Sequence, residues 1–328
     1  MAKIKEEEDS LGSVEKRAKK RKLRLLRGDD PKLEIVKIPF EISALDTILG
    51  GGIPLGRTTL ITGNFGVGKT FFSQLAMAKF QTEAYKVAYI DTERRYEPKW
   101  FANSGIDIKA LSVSQPDSGE NALETCQFLV EEQYGLIVLD SVAALVPTAE
   151  MEGTMEDSTV AAQARLLNKG LRKITALNRA SEDLGYRGTA FLLINQLRSG
   201  IGPFTSYSLP GGQGQQYFAS IILRISRGGY LQENGKKNGF IMKFMTDKNN
   251  LASPLQQCQL PFTFAGLIDT VGGLVEMALD LDIIKQKGPY YTLPMEGETS
   301  IMGRLAVVEK LKLDNGLFQQ LQDLVNAA

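Results

Sequence analysis

Four largely apolar segments recur along the middle of the chain: 57–62 (RTTLIT), 86–91 (KVAYID), 135–140 (GLIVLD) and 189–196 (TAFLLINQ). They lack the strict alternation of a strand with one wet face. That predicts strands of a parallel sheet covered on both sides. Between them, 71–81, 122–133 and 161–177 place Ala, Leu, Ile and Phe at helical spacing. Strand and helix in alternation predict an α/β core with a central, mostly parallel, twisted sheet. Two further strands are expected at 220–227 and 239–246. They would be joined as a hairpin around Glu233-Asn234-Gly235, because Asn-Gly favours a tight turn.

The pattern lapses in two internal stretches, 150–158 (EMEGTMEDS) and 198–214 (RSGIGPFTSYSLPGGQG). Long loops inside a compact domain are uncommon and usually functional or disordered. At the N-terminal end, residues 1–36 are strongly charged and read as a helical arm with a linker near Gly28-Asp29-Asp30-Pro31. After residue 268 the pattern changes to short helices at 271–284, 301–313 and 316–327, with Tyr290-Tyr291-Thr292-Leu293 between them. The domains expected are therefore an arm (1–36), a core (37–267) and a small C-terminal α/β domain (268–328).

The chain holds no histidine. That excludes histidine triads and histidine zinc sites, and leaves acid–base work to carboxylates, lysine or bound water. Lys+Arg and Asp+Glu are both 38, so the net charge is zero. The balance hides a basic run at 16–27 (KRAKKRKLRLLR), preceded by Glu6-Glu7-Glu8-Asp9. This run reads either as a solvated helix or frayed tail, or as an arm that meets nucleic acid or an acidic neighbour. Cys126 and Cys258 lack metal-ligand spacing and read as buried apolar side chains in a reducing compartment. No apolar run approaches the ~20 residues that span a bilayer. With no apolar signal core at the N-terminus either, a cytoplasmic chain without membrane contact is expected.

The chemistry concentrates at Gly63-Asn64-Phe65-Gly66-Val67-Gly68-Lys69-Thr70, which fits G-x-x-x-x-G-K-[ST]. Glycines let backbone N–H groups turn inward around phosphate oxygens. Lys69 reaches the β- and γ-phosphates, the Thr70 hydroxyl takes Mg²⁺, and the helix beginning near Phe71 adds its positive end. An apolar strand precedes and a helix follows, as the mechanism requires. ATP and Mg²⁺ are the expected cofactors. GLIVLD places Asp140 at a strand's carboxyl end, where it can hold Mg²⁺ through water. KVAYIDTE places Asp91 and Glu93 beside it, and Glu93 is the preferred base for activating water.

From Glu41 to Ala265 the chain resembles the RecA recombinases of bacteria and their phages. The resemblance is carried by SALDTILGGGIPLGR before the phosphate loop, YIDTE, SQPDSGENALE at 114–124 and VLDSVAALVPTAEMEG at 138–153. It continues in LLINQLRSGIG at 192–202 and PGGQGQQYFAS at 210–220, and more loosely in 268–328. It implies a RecA-type ATPase core. It also implies a DNA-dependent ATPase that forms a helical filament on single-stranded DNA, with ATP between protomers, and exchanges strands with a homologous duplex in recombination and repair.

By the same resemblance, Glu93 activates water. Trp100 stacks on adenine, and Glu97 contacts the base. Gln196 senses the γ-phosphate and reorders the second loop. Arg165 and Arg172 meet DNA phosphates, and Arg198, Gly211 and Gly212 add contacts. Val160 and Ile201 wedge between base triplets, and Lys248 reaches a neighbour's ATP. Taken alone, Trp100 would read as a core or surface aromatic, and Ile201 as loop packing.

Three departures from the family pattern stand out. Asn250 replaces a second lysine, the second loop is slightly shorter, and the chain ends Val325-Asn326-Ala327-Ala328 without an acidic tail. The missing tail carries an expectation of easier access to duplex DNA. Two alternatives remain: a ring-forming helicase or branch-migration ATPase, and a nucleotide-gated DNA-coating protein with little turnover.

Overall fold

The computed structural model describes residues 13–154 except 19, 22 and 24, then 160–183, 186–199, 207–233, 235–296 and 300–327. The chain forms two units that divide between Val36 and Lys37. In the first, residues 13–18 are helical, and a single turn at Pro31–Leu33 is capped by Asp30, whose carboxylate accepts from the Lys32 N–H at 2.9 Å. Part of the basic run, at 19, 22 and 24, lies outside the described residues.

The second unit is built on a nine-stranded sheet among the described residues. In chain order its strands are β1 (Thr58–Gly63), β2 (Val87–Asp91), β3 (Leu111–Ser114), β4 (Leu136–Asp140) and β5 (Ala190–Gln196). Then follow β6 (Ala219–Glu233), β7 (Lys236–Asn249), β8 (Gln257–Thr263) and β9 (Leu267–Ile268). The spatial order is β9-β8-β7-β6-β1-β5-β4-β2-β3. Strands β6 through β3 in that order run parallel, while β7, β8 and β9 pair antiparallel. Every residue of β1, β2 and β4 is buried, as their contiguous apolar patterns require.

One face of this sheet is covered by α1 (Gly119–Glu131) and α2 (Val160–Asp183). Ser118 caps α1, its hydroxyl accepting from the Asn121 N–H at 3.2 Å, so this helix starts at Gly119 rather than Ala122. On α2, Leu167, Leu171 and Ile174 fall on one buried stripe against Leu123, Cys126 and Val130. Gly170 sits at the crossing, where an added Cβ would lie 2.7 Å from Leu123 Cδ1. Arg165, Lys169 and Arg172 share the opposite, exposed face. Both cysteines are buried and free, and burial pushes the Cys126 thiol up to about 12.

Several elements differ from the sequence pattern. The expected hairpin forms, but β6 and β7 are far longer than 220–227 and 239–246. Gly228-Gly229 and the polar run 232–238 are weak strand formers alone. Long cross-strand pairing carries them, with a register shift where Arg227 gives way to Tyr230. Residues 150–152, read as loop, belong to a short helix at Thr148–Glu152, and 155–159 lie outside the described residues.

In the second stretch, Arg198–Ser199 pairs with Tyr207–Ser208, while Gly214 already opens a helix. The helix expected at 271–284 stops at Asp280, and Ile301 lies in a strand rather than a helix. Strands at Lys285–Lys287, Tyr290–Thr292 and Ser300–Met302 form a small antiparallel sheet. It packs with helices Arg304–Leu313 and Asn315–Ala327 around Leu274, Leu293, Val307, Leu311 and Leu321. Three-residue strands are too short to show a period, which is why helical spacing seemed to run through them.

Candidate functional site

The carboxyl ends of β1, β2, β4 and β5 lie side by side, and each delivers one part of the site. β1 runs into the glycine loop. An added Cβ at Gly63 would collide with the Ile225 carbonyl oxygen, so only glycine lets the loop leave the sheet here. Gly68 (φ 93°) makes the left-handed turn into α3 (Lys69–Thr82). Val67 is buried and anchors the loop, while Phe65 is exposed. Phe71 is buried and packs against Phe262 with rings tilted by 58° and centroids 4.7 Å apart.

Lys69 is buried, and its ammonium donates to the carbonyls of Gly63 (3.0 Å) and Asn64 (2.7 Å). Burial lowers its pKa, against the opposing pull of Asp140 and Glu93. Thr70 Oγ1 donates to Asp140 Oδ2 at 2.7 Å, and the Tyr89 hydroxyl donates to the same oxygen at 3.0 Å. Burial raises the pKa of Asp140, and the two hydroxyl bonds oppose that shift. Tyr89 is itself raised, chiefly by burial.

A raised carboxyl pKa means the buried anion destabilises the fold. The favourable contribution is present below the unfolded value and is lost as pH rises through the folded one. At neutral pH, Asp140→Asn should therefore raise the melting temperature, which calorimetry checks.

Asp91 is fully buried, and its carboxylate is consumed structurally. It accepts from the N–H groups of Arg95 (3.1 Å) and Tyr96 (2.9 Å) and from Gln115 Nε2 (2.9 Å). Glu93 is held by side chains instead. Its Oε1 accepts from Ser141 Oγ at 2.7 Å and Gln196 Nε2 at 3.3 Å, and its Oε2 pairs with Arg95 Nη1 at 2.9 Å. Strand β5 ends at Gln196, so the side chain that touches Glu93 sits at the root of the 198–214 stretch. A mostly buried carboxylate, a glycine loop with a buried lysine, and a hydroxyl–carboxylate pair are thus gathered at one sheet edge.

The RecA N-terminal domain family matches residues 5–269. The chain is 37% identical to Protein RecA of Trichodesmium erythraeum (strain IMS101), over 92% of this chain and 83% of that protein. It is 35% identical to Protein RecA of Mesomycoplasma hyopneumoniae (strain J), over 92% and 88%. Against Protein RecA of Bifidobacterium longum (strain NCC 2705) the identity is 36%, over 92% and 75%. The chain belongs to the RecA family. It is a recombinase and DNA-dependent ATPase of homologous recombination and repair. No described helix is long and apolar enough to cross a membrane.

The other residues singled out in this RecA-family sequence are spread more widely, with Lys248 and Asn250 near the strand starts rather than at the carboxyl edge. Glu97 caps the helix Pro98–Asn103, accepting from the Lys99 N–H at 3.4 Å. Trp100 on that helix is 40% exposed and lies beside Gly266, whose Cβ position is 3.6 Å from the indole Cη2. Phe264, also half exposed, lies two residues away in the same turn.

Lys248 donates to the carbonyls of Gln216 (2.9 Å) and Ala219 (2.6 Å), closing the end of helix Gly214–Phe218, and burial lowers its pKa. Asn250 is exposed, and its N–H bonds to the Ser220 carbonyl at 2.9 Å.

Arg165 and Arg172 are exposed on α2, and Arg165 Nε donates to the Ala161 carbonyl at 3.1 Å. With Lys169 and Tyr217 they line a groove between α2 and helix Gly214–Phe218. Gly211 and Gly212 (φ 78° and 76°) pack against α2, the first within 2.8 Å of Leu167 and the second within 3.1 Å of Ala164, counted from an added Cβ. Asn195 and Gln215, both buried, bond to the Pro210 carbonyl (2.9 and 2.6 Å) and tie this turn to the end of β5. Their only sequence signal was the polar pair Asn195-Gln196 closing an apolar strand. Val160 opens α2, and Arg198 lies in the short strand Arg198–Ser199; their side chains, and all of Ile201, lie outside the described residues.

Proposed function

We propose that the chain binds ATP with Mg²⁺ on the glycine loop and hydrolyses it within a helical filament on single-stranded DNA. The filament pairs its strand with a homologous duplex in the cytoplasm. In this reading residues 1–36 form the polymerisation arm, 37–267 the ATPase core and 268–328 a small C-terminal domain.

Lys69 and the positive end of α3 stabilise charge that develops on the phosphates. Thr70 would hold Mg²⁺ directly and Asp140 through water; their 2.7 Å contact suits an ion held mainly by phosphate and water oxygens. When bound, the ion neutralises phosphate charge. Glu93 Oε1 takes the proton of the attacking water. Trp100 and Glu97 face the base, with Trp100 stacking on adenine. Arg165, Arg172, Arg198, Gly211 and Gly212 contact the DNA backbone, and Val160 and Ile201 wedge between triplets. Lys248 reaches a neighbour's phosphates by exchanging its two carbonyl partners for them.

The observation that carries this reading is the Gln196–Glu93 hydrogen bond. Gln196 is a neutral amide that can bond either the carboxylate or a phosphate oxygen, and the chain continues from it into the second loop. Two arrangements of one side chain then couple nucleotide to DNA. Gln196→Ala should keep ATP binding yet lose DNA stimulation of turnover, together with ATP-dependent tightening on single-stranded DNA. Phosphate release with and without DNA, and strand exchange with ATP or ADP, measure this. Stimulation of wild-type size in the variant would refute the coupling.

A further inference from the structure

We propose that Arg95 is a positioning residue for ATP hydrolysis: it clamps Oε2 of Glu93, so that Oε1 is the oxygen released to water when Gln196 turns to phosphate. The proposal rests on the reading of Glu93 as the water-activating carboxylate.

A glutamate carboxylate turns easily, and a free one would present either oxygen at random. Here the two oxygens have different partners. Oε2 pairs with Arg95 Nη1 at 2.9 Å, and Oε1 bonds Ser141 Oγ and Gln196 Nε2 at the strand ends. Lys69 on α3 and Asp140 on β4 also feel the charge of Glu93.

The turn that carries Arg95 is fixed from below. Buried Asp91 holds the N–H groups of Arg95 and Tyr96. Thr92 is locked to the next strand end: its Oγ1 donates to the Ser141 carbonyl at 2.9 Å and accepts from the Ser141 N–H at 2.7 Å. Arg94, at φ 55°, points elsewhere and pairs with Asp117 at 2.6 Å. Of the two adjacent arginines, only Arg95 is therefore delivered to Glu93.

The exposures show that this pair does little for stability. The Arg95 side chain is 66% exposed and that of Glu93 only 16%. An ion pair with one open partner is screened and adds little to folding. Its effect is directional instead: it selects which oxygen meets water, and misplacing a catalytic group lowers turnover rather than binding. The contact is a single N–O pair and not a two-pronged one, so a lysine can make it in part.

The test compares wild type, Arg95→Ala, Arg95→Lys, Glu93→Gln and the Ala/Gln double variant. The readouts are single-stranded-DNA-stimulated kcat, KM for ATP, DNA affinity with a non-hydrolysable ATP analogue, and melting temperature. Arg95→Ala should lower kcat about ten-fold or more, a part of what a general base supplies. KM, DNA affinity and melting temperature should stay put. Arg95→Lys should recover part of the rate, and Arg95→Ala should add no further loss in the Glu93→Gln background. A wild-type kcat in Arg95→Ala, or an equal further loss in that background, would overturn the proposal. Wild-type turnover by Glu93→Gln would instead overturn the reading of Glu93 itself, and the proposal with it.

Discussion

Replacing Glu93 by Gln should cut DNA-stimulated ATP hydrolysis by about 10²- to 10⁴-fold, the range a positioned general base contributes. The substitution keeps size and hydrogen-bonding reach but removes the proton acceptor. The chain has no histidine that could substitute. Asp91 cannot step in, because its carboxylate is fully buried and two of its donors are backbone N–H groups that cannot turn away. Asp140 is spoken for as well, by Thr70 and Tyr89. Binding should survive, because the phosphate loop is untouched. Single-stranded DNA should then be held in a long-lived ATP-bound complex. Phosphate-release kinetics beside a DNA-retention assay check the pair of outcomes; a variant that loses both turnover and retention would point to misfolding of the strand ends.

Lys69→Ala should reduce kcat/KM for ATP by about 10²- to 10³-fold, the usual loss when one preorganised charge donor is taken from a transition state. Unlike Glu93→Gln, it should also weaken nucleotide binding, because the ammonium meets phosphates in the ground state. DNA affinity should no longer respond to ATP. The nucleotide-free protein should be no less stable. Lys69 is buried with a lowered pKa, so its charge opposes folding at neutral pH, and only two loop carbonyls lose a donor. Calorimetric nucleotide titration and thermal melting separate these effects. A melting temperature well below wild type would show that the lysine has a structural part in the loop.

The two substitutions divide the site by function. In the proposed reading Lys69 would act on the phosphates and Glu93 on the water, while Gln196 would relay the state of both to the loop that follows it. The same edge is also tied to the Pro210 turn, through Asn195 and Gln215.

Much of this was legible in the sequence because its signals are local. The glycine loop is one contiguous motif, and Asp140, Glu93 and Gln196 each end or follow an apolar run. Burial of a parallel sheet on both faces makes such runs unmistakable. Helix α2 declared itself by a stripe of Leu167, Leu171 and Ile174 opposite Arg165 and Arg172. Short strands at 285–302 and the weak, glycine-interrupted halves of β6 and β7 did not, because pairing with a neighbour decides them and local preference does not.

The site's wiring belongs to the tertiary structure alone. Glu93 meets Ser141 and Gln196 across 48 and 103 positions of sequence, and Lys248 meets Gln216 across 32. Strand order sets those meetings, and no local pattern encodes it. The sequence by itself determined which residues stand at the sheet's carboxyl edge. Only the packed sheet decided that one oxygen of Glu93 would answer to Ser141 and Gln196, because those contacts exist only once distant strand ends are brought side by side.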